Sequence, residues 1–251
     1  MNIEEKSIPP QDKCFKRAIL LDRLWIFFTL LALLTVLLGL KIQGLRNINW
    51  LLTVVLAVII FILEEYRDKY KHNGDRIRRQ HLFDNALGTK KCETDYNGYY
   101  TNDFISNGDL KLLANVHESA FWTKNLISFF KTLYFVLLVI LAITVFFLSV
   151  RQGINEKSSF FARLFISSFV FRRYLNLKDT YKETSRICEK SIDLINSFNS
   201  QLDIHSEIFY LTLEYEIIID RMSYLIRDWY YKKKKDELNN KWDQISNKYY
   251  S

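Results

Sequence analysis

Hydrophobic and polar stretches alternate along this chain on a scale of tens of residues. Apolar runs occupy 24–40 and 48–63, a charged region follows to 131, and two further runs fill 132–150 and 158–171 before a polar C-terminal region. A helix crossing the hydrocarbon of a bilayer needs about 20 apolar residues, with about 17 as a lower limit, so the first and third runs qualify unaided. The second is short. The fourth is shorter still and carries Arg163, an intramembrane charge that either snorkels to the interface or faces a polar lumen if the run spans, and has no special meaning if the run lies on the surface. The pattern predicts an all-α, polytopic membrane protein with two transmembrane helical hairpins, 24–63 and 132–171, giving four spans. Around them it predicts an N-terminal tail and lead-in helix (1–23), a middle helical region (64–131) with a loop at 89–107, and a C-terminal helical region (172–251), all cytoplasmic.

Periodicity outside the apolar runs is helical. Tyr66, Tyr70, Ile77, Leu82, Phe83, Ala86 and Leu87, with no proline and one glycine between 64 and 87, predict that the second run continues as helix and ends at Gly88 as a C-cap. The segment 89–107 is rich in Asn, Asp, Gly and Tyr and reads as a loop. From Gly108 onward, Leu110, Leu112, Leu113, Val116, Ala120 and Phe121 recur near helical spacing, so a helix runs into the third run without a break. Beyond Arg172, Ile187, Leu194, Ile195, Phe198 and Leu202 mark one amphipathic helix. A second, from about Ser206, carries Phe209, Leu213, Ile217, Met222, Leu225, Ile226 and Trp229, and the two stripes predict a helical hairpin. Residues 1–12 hold both prolines and read as a tail, with helix expected from Lys13.

Charge decides the setting. The chain has 251 residues, 35 Lys and Arg against 28 Asp and Glu, and a net charge of +7. Because the bases are interleaved with nearly as many acids, the excess suits an anionic leaflet better than nucleic acid. Lys13, Lys16, Arg17, Arg23, Arg67, Lys69, Lys71, Arg76, Arg78, Lys124, Lys131, Arg172, Arg173, Lys178, Lys182 and Arg186 flank the runs on one side, against Lys41, Arg46, Arg151 and Lys157 in the two short links. The positive-inside rule then puts both termini and the middle region in the cytoplasm, although charge density in the links is similar. Trp25, Trp50 and Trp122 lie near span ends, where interfacial anchoring and core packing explain them equally well. Lys232 to Lys235 form an exposed cationic patch, either a solvated helix face or a contact with anionic lipid. Cys14, Cys92 and Cys188 are isolated, which argues against a disulfide scaffold or a zinc site and for a reducing compartment. The first run starts too late and is too long for a cleaved signal, so it reads as a retained span.

Candidate chemistry is sparse. The chain has no GxSxG, HExxH, Walker A or GxGxxG pattern. Its histidines, His72, His81, His117 and His205, are scattered. Glu93, Asp95, Asn97 and Gly98 fit the start of a calcium loop, but position 12 is Phe104, which cannot supply the bidentate carboxylate. Apart from Asn49, Thr132 and Tyr134 near the run ends, polar side chains in the first three runs are limited to Thr29, Thr35, Thr53, Thr144 and Ser149, so no ion-selective lumen is written there. No catalytic residue, metal site or cofactor is expected, and the chain is read as a non-enzyme. Tyr96, Tyr99 and Tyr100 form a weak stacking candidate for a ligand, or pack internally.

Four short pieces carry a resemblance. They are Phe83-Asp84 with Ala86-Leu87-Gly88, the run from Glu118 to Thr123, Arg172-Arg173-Tyr174, and Asp220-Arg221 through Trp229-Tyr230 to Glu237. In this order and spacing the chain resembles the SMODS-associated four-transmembrane pore-forming effectors of bacterial CBASS anti-phage systems. It departs from that pattern at Ser223 and Arg227, where prolines are expected. The resemblance implies a multi-pass protein of the bacterial inner membrane that responds to a nucleotide second messenger by compromising the bilayer. Four slim helices enclose too little space for a wide pore, so any pore requires a homo-oligomer. The alternative is a membrane-anchored helical scaffold or receptor without pore activity. A membrane enzyme or transporter comes third.

Overall fold

A computed structural model describes residues 10–39, 46–92, 100, 102–152, 169–198, 203–222 and 226–250. Among them the chain is all-α, with no strand: α1 (Pro10–Gly39), α2 (Arg46–Leu87), α3 (Asp109–Gln152), α4 (Phe169–Asn196), α5 (Ile204–Arg221) and α6 (Asp228–Tyr249). Helix α1 is described from Pro10, ahead of the expected Lys13. Gln11, assigned to the tail by its position, is buried.

Helices α2 and α3 have 42 and 44 residues, about 63 and 66 Å at 1.5 Å per residue. Each joins an apolar run to a charged segment without interruption, as the absence of internal proline predicts. Gly74 does not break α2; a Cβ there would lie 2.8 Å from the Phe15 ring, so this glycine permits a close helix contact. Gly88 ends α2 with φ +69° and donates its N–H to the Asp84 carbonyl at 3.0 Å, the left-handed C-cap predicted.

The chain forms two compact units, 1–81 with 90–99, and 82–89 with 100–251. In the first, α1 runs antiparallel to α2. Phe15 meets Gly74, Arg17 lies over the Tyr70 ring at 5.4 Å, Asp22 pairs with Arg67 at 3.6 Å, and Thr35 Oγ1 lies 3.5 Å from Thr53 Oγ1. Asp22 and Arg67 are both buried, and the guanidinium also meets Glu64 and Asp68 and covers the Trp25 ring at 5.5 Å. Trp25 is therefore packed against a cation at the base of this hairpin.

In the second unit α4, α5 and α6 pack around α3. Fully buried Leu112, Leu113 and Val116 of α3 meet Leu82 and Ala86 from the end of α2, Ile187 of α4 and Ile208 of α5. Helix α5 reverses the expected face: Ile204, Ile208, Leu211, Tyr215 and Ile219 are buried, while Phe209, Leu213 and Ile217 are exposed. This helix is apolar on both sides, so periodicity alone does not choose between two stripes. The expected second C-terminal helix is also two helices. Met222 turns to an extended conformation after Arg221, and α6 begins at Asp228 after an extended Arg227, with no proline at either end of the break.

Among the described residues, α3 is the one helix long and apolar enough to cross a membrane, with 28% of the qualifying stretch within Asp109–Thr144 buried. Four spans were expected. In α2 the apolar run is closed by Glu64, Glu65 and Arg67, and residues 158–168 of the fourth run, including Arg163, lie outside the described residues.

Candidate functional site

Polar side chains are concentrated where α3 begins, in its part before the apolar run. Asn115 and Glu118 stand one turn apart on one face of the helix and are buried. Asn102, fully buried in the segment leading to α3, donates through Nδ2 to Asn115 Oδ1 at 3.0 Å and to Glu118 Oε2 at 2.8 Å. Asn115 donates through Nδ2 to Asn85 Oδ1 at 2.8 Å. These bonds tie the end of α2, the loop and α3 together. The turn is closed by Gly108, at φ +145°, whose N–H reaches the Ala86 carbonyl at 2.8 Å. Asn102 Oδ1 has no hydrogen-bond partner among the described residues.

A second polar set lies beside the first. His117 Nδ1 is 3.1 Å from the Tyr250 hydroxyl, and its ring meets Trp242 edge-on at 5.1 Å. Burial lowers the His117 pKa to about 4, assisted by the charge of Lys124. Burial pushes the Cys188 thiol up to about 12 and raises the Tyr250 phenol well above its usual range, with Cys188 and Glu118 adding to the latter. At neutral pH these are an uncharged imidazole, a thiol and a phenol. A thiol nucleophile needs the opposite shift. The arrangement suits holding helices in register, since a buried polar network stabilises only the arrangement that satisfies it.

The four pieces of the resemblance all fall in this unit. Asp84 accepts from Thr89 at 2.6 Å, Glu118 joins the asparagine network, and Phe121 packs at 5.9 Å from Trp242. Trp122 lies 5.4 Å from Tyr231, and Thr123 Oγ1 lies 3.3 Å from the Tyr215 hydroxyl. Arg173 donates to the Tyr134 hydroxyl at 3.4 Å, and Glu237 holds Lys234 and Lys241.

Other expected positions fare differently. Tyr100 is buried in the core about Leu112, not presented as a stacking platform. Tyr96, Tyr99 and the calcium-loop positions Glu93, Asp95, Asn97 and Gly98 lie outside the described residues, and Phe104 is exposed. Cys92 and His81, isolated in sequence, meet in the first unit with Sγ 3.2 Å from Nε2. His205 pairs with Asp109. Among the described residues no three His, Cys, Asp or Glu side chains are placed to hold a metal ion. A cleft of about 130 Å³ between α4 and α5, lined by Lys190, Asp193, Glu207 and Tyr210, is smaller than the roughly 300 Å³ at which small-molecule sites begin. Comparison with protein-family models, with curated proteins and with solved structures finds no match.

Proposed function

We propose that the chain is a non-enzymatic membrane effector whose helical body restrains its membrane segments until a nucleotide second messenger binds. In this reading it is a four-span protein of the bacterial inner membrane with both termini in the cytoplasm. It acts as a homo-oligomer and permeabilises the bilayer as an anti-phage response of the CBASS type. The observation that carries the reading is the continuity of α3. One unbroken helix bears Asn115, His117 and Glu118 in a buried polar network and, beyond Lys131, a run of exposed Phe135, Ile140, Ile143, Phe146 and Phe147. A shift of the network is thereby transmitted along a rigid rod into whatever surrounds the apolar half. Exposed apolar side chains on α1 and α2, among them Phe27, Leu30, Val58 and Phe61, support further lipid contact. The exposed Phe209, Leu213 and Ile217 stripe of α5 supports self-association. The sequence resemblance supports the second messenger.

Dye-loaded proteoliposomes containing the full chain test this. Addition of cyclic di- and trinucleotides is expected to release dye with at least one of them, and Glu118→Ala to change the threshold. Intact vesicles at saturating concentrations of every such nucleotide, with the chain correctly inserted, contradict the proposal and favour the anchored scaffold.

A further inference from the structure

Helix α6 begins where the exposed apolar surface of α3 begins. Trp229 lies 6.2 Å from Phe129 and 6.4 Å from Phe130, and Tyr230 stacks on Phe129 at 4.6 Å. From there α6 runs back along the polar half of α3, placing Trp242 against Phe121 and His117. Its first turns are therefore level with the change from polar body to apolar rod. Trp229 is 52% exposed and Tyr231 41%, next to Phe129 at 40% and Leu133 at 41%. The same level carries Tyr174 on Phe135, Arg173 on the Tyr134 hydroxyl and Lys131 over the Tyr181 ring at 3.6 Å. Amphipathic rings with cations at the end of an apolar run are what a membrane–water interface selects.

The four lysines that follow Trp229 are not equivalent. Lys234 pairs with Glu237, which also takes Lys241. Lys232, Lys233 and Lys235 are exposed and have no ion pair among the described residues. They sit about 5 to 9 Å from Trp229 along the helix axis. Lys232 and Lys235 stand three residues apart on the helix, so their like charges repel. An external anion offsets that repulsion. A polyanionic nucleic acid is the poorer fit, because Asp236, Glu237 and Asp243 interrupt the positive face and the flanking surface on α3 is apolar.

We propose that the first two turns of α6 are an interfacial anchor: Trp229 and Tyr231 lie at headgroup level, and Lys232, Lys233 and Lys235 hold the phosphates of anionic lipids. The inference rests on the reading of α3 as membrane-crossing. It fixes the depth of the helical body and ties it to an anionic leaflet, with each lysine worth roughly a fivefold factor near such a surface.

The full chain reconstituted into phosphatidylcholine vesicles, with brominated phosphatidylcholine or brominated phosphatidylglycerol as quencher, tests this through tryptophan fluorescence. Quenching is expected to be stronger from the anionic lipid and to weaken with salt. Trp229→Phe is expected to reduce the difference by the share that Trp229 contributes among the five tryptophans, and the triple variant Lys232→Gln, Lys233→Gln, Lys235→Gln to reduce that share about fivefold or more, with helicity unchanged in both. Equal quenching in wild type and Trp229→Phe, or a Trp229 share that survives the triple variant, overturns the anchor. So does binding of a short single-stranded RNA that depends on the three lysines when no lipid preference exists. Alkaline carbonate extraction separates the levels of failure. Release of the wild-type chain defeats the membrane reading itself, whereas retention without a Trp229 contribution defeats the anchor alone.

Discussion

His117 shows how burial alone sets a residue's behaviour. Its folded pKa of about 4 lies below the ordinary 6.5, so between these values the unfolded chain binds more protons than the fold. Stability is therefore full above about 6.5, falls on acidification towards about 4, and changes no further from this group below that. The whole effect is worth about 3 kcal/mol at most. Denaturant unfolding in detergent at several pH values is expected to show this loss in wild type and a shallower one in His117→Gln; parallel profiles contradict it. Cys188 follows the same logic. With its thiol at about 12, its thiolate at pH 8 is roughly a thousandfold scarcer than an ordinary cysteine's, so iodoacetamide should label Cys14 and Cys92 long before Cys188. Equal labelling of all three in the folded chain is the contrary result. None of this was legible in the sequence. Asn85, Asn102, Asn115 and Glu118 are ordinary polar residues until a turn folds back, and a histidine's burial depends on Trp242 and Tyr250, more than a hundred positions away, a separation of 133 for Tyr250.

At the scale of elements the sequence was informative about continuity and silent about facing. Runs without proline predicted α2 and α3 as unbroken helices, and Gly88 marked the end of α2. That cap is directly testable. Gly88→Ala places a Cβ on a left-handed residue, 2.9 Å from Asn107 Nδ2, and is expected to cost about 1 to 2 kcal/mol of unfolding free energy. A neutral effect on the unfolding midpoint contradicts the assignment. Helix α5 was misread because Phe209, Leu213 and Ile217 form as good a stripe as Ile208, Leu211, Tyr215 and Ile219. The deciding contacts, such as Tyr215 with Thr123, come from α3. The break before α6 was unpredicted for a related reason. Its local sequence holds no proline or glycine, and the chain turns where Met222 enters the cluster with Phe130, Leu177 and Tyr230.

For the whole molecule, the consequential property is that α3 changes solvent preference along its length. Its polar half organises a packed unit with α4, α5 and α6, while its apolar half leaves Phe135, Ile140, Ile143, Phe146 and Phe147 between 50% and 67% exposed. In water that surface would be a liability; in a bilayer it is unremarkable. Single cysteines placed along α3 of a chain otherwise free of cysteine, in native membrane vesicles, test this most directly. At Phe135, Ile140, Ile143 and Phe146 they are expected to resist a membrane-impermeant maleimide and to react once detergent is added, while a cysteine at Ser128 or Lys124 reacts from the start on the exposed side. Immediate labelling at all these positions in intact vesicles contradicts the account.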